Sequence, residues 1–228
     1  MKVIGLTGGI ASGKSTVSRM IIRRNIPLID TDLLARQIVE PGKPAYKRVV
    51  KHFTREILNE DGTIDRVKLG DMIFSNENKR KILNKCTHPF IRTEVFKLVI
   101  WNWIKGEKMV VIDVPLLIET RLHKFMNLVL VVYCSDQIQI NRLINRENFS
   151  ESIARQRINS QLPLKEKVKY ADYVIDNSGD IKTTEEQVEK ILNITKPSSL
   201  NWLLSWWGPP ILAISLAIKG LLFIVDFF

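Results

Sequence analysis

The clearest signal in this chain lies near its start, in Gly8-Gly9-Ile10-Ala11-Ser12-Gly13-Lys14-Ser15, which matches the phosphate-binding pattern G-x-x-x-x-G-K-[ST]. The apolar run K-V-I-G-L before it predicts a buried strand over 2–6, and S-T-V-S-R-M-I-I-R-R predicts a helix over 15–24. Glycines let the backbone turn its N–H groups around an anion, and the helix start adds its positive dipole end. Lys14 supplies a point charge, and the Ser15 hydroxyl can bind Mg²⁺. These residues therefore predict a site for the phosphates of a nucleotide.

Length and composition indicate a basic globular chain. Its 228 residues can bury one sizeable core with a small inserted subdomain, and 25% of them are charged. The formal net charge is +10. The positive residues are dispersed, with one of the densest groups at 165–169, so we interpret them as solvated faces and predict no nucleic-acid partner. Cys86 and Cys134 are too few for a disulfide framework, and we expect two buried free thiols in a reducing compartment.

Short apolar runs alternate with amphipathic stretches, which is typical of a parallel α/β sheet. Strands are predicted over Val3–Leu6, Leu28–Asp30, Met109–Val114, Leu128–Cys134 and Tyr173–Asp176. Three of these runs are almost continuously apolar, as expected of strands that are covered on both faces. The longest helix is predicted from about Asn76 to Trp103.

Two long segments separate the predicted strands. The segment 33–108 is too long for a simple crossover, and we expect a mostly helical insertion over the carboxyl edge of the sheet, where ligands of such folds bind. A second segment, 135–169, contains Arg142, Arg146, Arg155 and Arg157 at spacings that place basic residues on one helix face. Two interpretations of it stay open: a solvated charged helix, or a mobile lid that brings arginines to the phosphates.

Four further segments follow the phosphate loop in order: I-D-T-D-L-L-A-R at 29–36, H-P at 88–89, V-P-L-L-I-E at 114–119 and D-N-S-G at 176–179. Together with the loop, they resemble the dephospho-coenzyme A kinases, over nearly all of residues 1–196. The resemblance implies a P-loop kinase fold with a five-stranded parallel sheet, a helical acceptor-binding insertion and a lid. It also implies transfer of the γ-phosphoryl group of ATP, with Mg²⁺, to the 3′-hydroxyl of the dephospho-CoA ribose. This reaction is the last step of coenzyme A synthesis.

Asp32 is the candidate for the group that orients the acceptor hydroxyl or takes its proton, because phosphoryl transfer needs a carboxylate at that position. It follows a predicted strand at the carboxyl edge of the sheet, facing the phosphate loop. The tripeptide D-L-L at 32–34 is also typical of a helix N-cap, which is the structural alternative for Asp32. Of the two carboxylates, Asp30 is the one that we expect to be structural. Arg36 lies one turn later on the same helix face, from which it can bind an acceptor phosphate or pair with Asp32.

The resemblance also implies roles for residues farther along the chain. We expect the acceptor site to be formed by Thr7, Asp32, Arg36, His88, Pro115, Leu116 and Glu119. Glu119 is expected to pair with a nearby arginine. The predicted catalytic residues are Lys14, Asp32, Arg142 and Arg146, of which the two arginines match lid arginines of the family and would neutralise charge in the transition state.

Nucleotide and metal positions follow from the same resemblance. Asn177, Ser178 and Gly179 lie where the family holds adenine, partly through backbone groups. Ser15 is the predicted Mg²⁺ ligand, and the sequence leaves open whether Asp113 or Asp32 also reaches the metal.

The composition changes after Lys196, and the minimal kinase does not require the segment 197–228. From residue 200 onward it contains two charged residues, Lys219 and Asp226, and three of the five tryptophans of the chain. A helix from Pro209 to Phe228 would be about 30 Å long, just enough to span a bilayer. We therefore expect a hydrophobic C-terminal helix that attaches the protein to a membrane, with the catalytic domain in the cytosol. Spanning and in-plane orientations stay open, as do the mitochondrial outer and ER membranes, and the alternative is a helix packed on the kinase core.

Another P-loop small-molecule or nucleoside monophosphate kinase is the main functional alternative, and the identity of the acceptor separates the two. A GTPase-like switch is excluded, because Asn84-Lys85-Cys86-Thr87 has a threonine in place of the aspartate of the guanine-reading pattern N-K-x-D. The complete set of loop, carboxylate and lid arginines argues against an inactive scaffold. The expected partners are ATP and dephospho-CoA, and an association with other enzymes of the coenzyme A pathway is left open.

Overall fold

The computed structural model describes residues 1–74, 76–147, 149–200 and 202–203. In this part of the chain, five strands form one sheet in the order β2-β3-β1-β4-β5. The strands are β1 Lys2–Gly8, β2 Leu28–Asp30, β3 Met109–Asp113, β4 Leu128–Tyr133 and β5 Tyr173–Asp176. Strand β1 is paired in parallel on both sides, with Lys2 opposite Met109 and Ile4 opposite Leu128. The predicted α/β fold with a five-stranded parallel sheet is confirmed.

Strand β1 is the point at which the order of the sheet reverses. Strand β3 lies on one side of it and β4 lies on the other. In open parallel sheets, ligands bind beyond the carboxyl ends of the strands at such a point. The phosphate loop leaves the sheet there, because β1 ends at Gly8 and the next helix begins at Lys14.

The helices complete two compact units. In chain order they are α1 Lys14–Arg23, α2 Thr31–Gln37, α3 Pro44–Phe53, α4 Arg66–Phe74, α5 Glu77–Ile104, α6 Asp136–Glu147, α7 Glu151–Asn159, α8 Leu164–Val168 and α9 Ile181–Thr195. The first unit comprises Met1–Leu28 and the chain from Trp101 onward, and the second comprises Ile29–Ile100.

The core of the first unit joins strands to helices α1 and α9. All five residues of β3 are buried, as expected of a strand that is covered on both faces. The largest cluster of buried apolar side chains includes Ile4, Leu6, Val17, Ile21, Val111, Leu130, Val132, Ile175, Val188 and Leu192. This core fixes the strand ends from which the phosphate loop and the β3 and β5 loops emerge.

The second unit is mostly helical. Its core consists of Val49, Phe53, Ile57, Ile64 and Cys86, contributed by α3, α5 and the connection between α3 and α4. Both cysteines of the chain, Cys86 here and Cys134 in the first unit, are free and buried, as predicted.

The predicted membrane localisation requires correction. No helix of the described residues is both long enough and apolar enough to cross a bilayer. The longest one, α5, has 28 residues but carries charged side chains along its length. The hydrophobic helix predicted from Pro209 to Phe228 lies outside the described residues.

Candidate active site

The phosphate loop makes its turn through left-handed backbone. Gly13 precedes α1 with a φ of 93°, and Ala11 has a φ of 58°. The N–H groups of Lys14 and Ser15 stand too early in α1 to reach an acceptor within the helix, whereas those of Thr16 and Val17 donate to the Gly13 carbonyl at 2.9 and 3.3 Å. Together with the positive end of the helix dipole, the Lys14 and Ser15 N–H groups make the start of α1 a site for an anion.

Side chains from distant parts of the first unit hold the carbonyl groups of this loop. Lys167 Nζ donates to the Gly8 carbonyl at 3.2 Å, and Gln139 Nε2 donates to the Ile10 carbonyl at 2.6 Å. The Ser12 carbonyl accepts from Asn177 Nδ2 at 2.8 Å and from Arg142 Nη1 at 3.3 Å. Side chains therefore bind the carbonyl groups of Gly8, Ile10 and Ser12, and these contacts fix the conformation of the loop.

Asn177 lies directly against the loop. Its side chain is buried, and its Oδ1 accepts a hydrogen bond from Thr184 Oγ1 at 3.0 Å. A Cβ atom on Gly13 would lie 1.9 Å from Asn177 Nδ2. The close approach explains why position 13 needs a glycine on steric grounds, in addition to its positive φ.

Lys14 is paired with the carboxylate at the end of β3. Its ammonium group contacts Asp113 Oδ1, and Ser18 Oγ donates to Asp113 Oδ2 at 2.7 Å. Asp113 is only 3% exposed, so its charge is compensated by these neighbours rather than by bulk water. Lys14 thus forms one network at the phosphate site with Asp113, which is one of the two carboxylates considered as further Mg²⁺ ligands.

The residues at this position fit a Mg²⁺ ion bound together with a nucleotide. Ser15 is exposed in the first turn of α1, and Asp113 follows the neighbouring strand. Among the described residues, no group of three or more His, Cys, Asp or Glu side chains could hold a metal alone. Such a sparse donor set is typical of Mg²⁺, which keeps several waters and binds one or two protein oxygens plus phosphates.

A cavity of about 420 Å³ adjoins the loop within the first unit. It is lined by Ala11, Gly13, Thr16, Arg142, Arg146, Asn177, Gly179 and Ile181. The predicted lid arginines and two residues of the predicted adenine segment therefore lie at one cavity. Arg146 is more than half exposed and pairs with Glu147 at 2.9 Å, whereas Arg142 is bound to the Ser12 and Asn177 carbonyls.

Ser178, the third residue of the predicted adenine segment, has local contacts. Its Oγ accepts from the Ser135 N–H at 3.3 Å, and its own N–H donates to Asp176 Oδ1 at 2.9 Å. These bonds fix the turn after β5.

The second unit has a larger cavity, of about 830 Å³. It brings together Asp32, Arg36 and His88, three of the residues predicted to bind the acceptor. The side chain of Asp30 caps α2, accepting from the N–H groups of Asp32 at 2.9 Å and Leu33 at 3.0 Å. Asp30 therefore orients the helix that carries Asp32 and Arg36.

His88 is uncharged at neutral pH. Burial lowers its pKa below the ordinary value of 6.5, and the charge of Arg92 lowers it further. A neutral imidazole can donate one hydrogen bond and accept another, so it can recognise a polar substrate group without adding charge.

The other predicted acceptor residues lie in the first unit. Thr7 is fully buried, and its Oγ1 donates to the Pro115 carbonyl at 3.0 Å. Leu116 is 42% exposed. Glu119 pairs with Lys167 at 2.8 Å, so the expectation of an arginine partner is wrong. The reason is that Lys167, expected on a solvated face, turns inward from α8 and is fully buried.

The sequence analysis missed several residues that shape these sites. Gln139, Gln161 and Lys167 contact the phosphate loop or its flanks from more than a hundred positions away, and no local pattern indicates them. Arg66 and Asn84 line the cavity of the second unit. Asp65 caps the start of α4 through the N–H groups of Val67 and Lys68, so a local signal could have placed Arg66 in the first turn of a helix. That signal does not indicate the cavity.

The comparisons with known proteins agree with this geometry. The family model described as dephospho-CoA kinase matches residues 2–183. The chain is similar to the dephospho-CoA kinase of Bacillus thuringiensis subsp. konkukian, with 52% identity over 83% of this chain and 95% of that protein. It is also similar to the dephospho-CoA kinase domain-containing protein of Danio rerio, with 48% identity over 84% of each chain.

A solved structure shows the same architecture. The dephospho-CoA kinase from Campylobacter jejuni matches with a TM-score of 0.66 and 26% sequence identity. The match covers 85% of this chain and 96% of the Campylobacter chain.

Proposed function

The chain belongs to the dephospho-CoA kinase family, and on that premise we propose that it phosphorylates the ribose 3′-hydroxyl of dephospho-CoA with ATP. The observation that carries the proposal is the family match over residues 2–183, which includes the phosphate loop and all the candidate site residues. ATP and Mg²⁺ are the cofactors that this reaction requires.

The phosphate loop and Lys14 bind the phosphates of ATP. The support is the start of α1 together with the Gly8, Ile10 and Ser12 carbonyls, each of which is bound by side chains. Ser15 and Asp113 are the residues that would hold Mg²⁺, which neutralises charge on the β- and γ-phosphates when it is bound. Lys14 contacts Asp113 in this structure, so its ammonium group lies beside the carboxylate that would help to hold Mg²⁺.

Asn177, Ser178 and Gly179 hold the adenine of ATP. The support is the cavity beside the loop, which Asn177 and Gly179 line. The Asn177 side chain is engaged with the Ser12 carbonyl and with Thr184. Its contribution to adenine binding therefore comes from its backbone and from the shape that it gives the cavity.

The acceptor binds to the cavity of the second unit. Asp32, Arg36 and His88 line this cavity together. Arg36 supplies a charge for a phosphate of dephospho-CoA, and neutral His88 supplies a hydrogen bond. For Thr7, Pro115, Leu116 and Glu119, which lie at the end of β1 and after β3 in the first unit, acceptor binding stays a prediction from the sequence.

Asp32 orients the 3′-hydroxyl and accepts its proton. In the reaction the hydroxyl O–H bond breaks, a bond forms between that oxygen and the γ-phosphorus, and the bond from the γ-phosphorus to ADP breaks. The proton moves to the Asp32 carboxylate. Lys14, Arg142 and Arg146 compensate negative charge on the transferring phosphoryl group, and Arg142 also keeps the loop in place through the Ser12 carbonyl.

A coupled assay of ADP formation with dephospho-CoA, AMP and gluconate as acceptors tests the proposal. We expect turnover to be highest with dephospho-CoA. Asp32→Asn should lower kcat by about 10²–10⁴, because that is the usual contribution of a positioned acid or base. Asp71→Asn is the matched control, since Asp71 is an exposed carboxylate of the same unit that does not line the cavity. Undiminished kcat in Asp32→Asn would remove the catalytic assignment, and a wild-type enzyme without activity on dephospho-CoA would remove the proposed function.

A further inference from the structure

Lys167 is a charged side chain in an unusual position. It lies in α8, within a run of lysines at 165, 167 and 169. The side chains of Lys165 and Lys169 are 71% and 66% exposed, whereas that of Lys167 is 0% exposed. A lysine is almost never fully buried unless it is paired, so its environment must satisfy the ammonium group.

Three oxygen atoms surround the Lys167 ammonium group. They are Glu119 Oε1 at 2.8 Å, the Gly8 carbonyl at 3.2 Å and the Pro115 carbonyl at 3.2 Å. An ammonium group has three donors, so the three acceptors engage all of them. Gly8 opens the phosphate loop, while Pro115 and Glu119 follow β3. One side chain therefore connects the start of the phosphate loop to the loop after β3.

The residues just before α8 also contact the phosphate loop and Glu119. Gln161 Oε1 accepts from the N–H of Ile10 at 3.0 Å, and the Leu162 N–H donates to Glu119 Oε1 at 3.3 Å. The segment 161–167 thus binds the phosphate loop at two positions and binds Glu119 twice. A role limited to neutralising Glu119 would not explain the contacts with two backbone carbonyls.

We propose that Lys167 is a positioning residue that holds the Gly8 carbonyl outward, so that the N–H groups of the phosphate loop stay directed at the nucleotide. An ion pair with a solvent-exposed carboxylate such as Glu119 adds little stability, so stability alone does not account for the lysine. In this role Lys167 touches no nucleotide and acts through Gly8 and Pro115. The inference rests on the proposed function only in taking ATP as the nucleotide.

Nucleotide affinity measured by isothermal titration calorimetry, with Mg²⁺ and a non-hydrolysable ATP analogue, tests this role. The variants are Lys167→Met, Glu119→Gln, the double variant of both, and Lys165→Met as the matched control from the same helix. Thermal unfolding of each variant is recorded in parallel. The double variant carries no unpaired carboxylate at position 119, so it separates the loss of the carbonyl contacts from the loss of charge pairing.

Lys167→Met is expected to raise the Kd of the analogue about ten- to a hundredfold, the range for losing a hydrogen bond from a charged donor. The double variant should have the same unfolding temperature as Glu119→Gln. Its Kd for the analogue should nevertheless be at least about tenfold higher than that of Glu119→Gln. Lys165→Met should bind like the wild type.

A double variant with the affinity of Glu119→Gln would overturn the proposal, as would wild-type affinity in Lys167→Met. A double variant that fails to fold while Glu119→Gln folds would make Lys167 a structural residue, which also overturns it. A wild type that binds the analogue but leaves dephospho-CoA unmodified would remove the proposed function without affecting this test.

Discussion

Replacing Gly13 by alanine should destabilise the protein through one identifiable contact. The Cβ atom would lie 1.9 Å from Asn177 Nδ2, so the amide would have to move. The Asn177 side chain is buried, and its amide donates to the Ser12 carbonyl at 2.8 Å and accepts from Thr184 Oγ1 at 3.0 Å. Moving it therefore disrupts two hydrogen bonds, one to the Ser12 carbonyl of the phosphate loop and one to Thr184.

The expected loss of unfolding free energy has two parts. An alanine in left-handed backbone costs about 1–2 kcal/mol. Two lost hydrogen bonds add about 0.5–1.5 kcal/mol each. We expect Gly13→Ala to lower the free energy of unfolding by about 2–5 kcal/mol in total.

A double-mutant cycle with Asn177→Ala isolates the contact. Without the asparagine, the alanine at position 13 should cost only the backbone part, so the double variant should be about 1–3 kcal/mol more stable than the sum of the single effects predicts. Urea unfolding followed by circular dichroism at pH 7 measures each corner of the cycle.

Gly42 is the matched control, because it has a φ of 87° but nothing within 4 Å of its Cβ position. Gly42→Ala should be additive with Asn177→Ala. The reasoning fails if Gly13→Ala and Asn177→Ala are additive within about 0.5 kcal/mol.

Three further predictions follow from individual contacts. Asp30→Ala should lower the free energy of unfolding by about 0.5–2 kcal/mol, because the cap of α2 is lost, and Asp30→Ser should restore most of it in urea titrations; equal stabilities of Asp30→Ala and wild type would argue against the cap. Burial raises the pKa of Cys134 to about 11, so iodoacetamide at about pH 8 should modify it roughly a hundredfold more slowly in the native protein than in urea, as followed by mass spectrometry. Equal rates in the two states would contradict this. Because the folded state lowers the pKa of His88, the unfolded chain binds the proton more readily, and stability should fall as the pH drops below 6.5. His88→Gln should reduce this pH dependence of the urea midpoint, and an unchanged dependence would show that His88 is not its source.

The sheet and the position of the phosphate loop could be predicted because each has a local cause. Almost continuous apolar runs indicate buried parallel strands, and the Gly8–Ser15 pattern needs only the strand before it and the helix after it. The side chains that bind the loop carbonyls have no such cause. Gln139 and Asn177 meet the loop only because β4 and β5 lie in order beside β1. Their roles depend on the sheet topology, which a short sequence window does not contain.

Lys167 illustrates the limit most clearly. The alternating charges of K-E-K-V-K are typical of a solvated face, and Lys165 and Lys169 do lie in solvent. Lys167 differs from them only in the direction in which α8 presents it. Asp30 is the opposite case, since a carboxylate directly before the first turn of a helix is a local cap signal. The structure contains such a cap, with Asp30 rather than Asp32 as the N-cap residue.

The order in which the chain is synthesised gives the loop contacts a further consequence. The phosphate-binding pattern is complete at Ser15, whereas the side chains that bind its carbonyls begin at Gln139 and end at Asn177. A ribosome-bound chain that stops before Gln139 carries the whole pattern but none of these contacts. We therefore expect nucleotide to stabilise the protein only after β5 has joined the sheet, because Asn177 follows that strand.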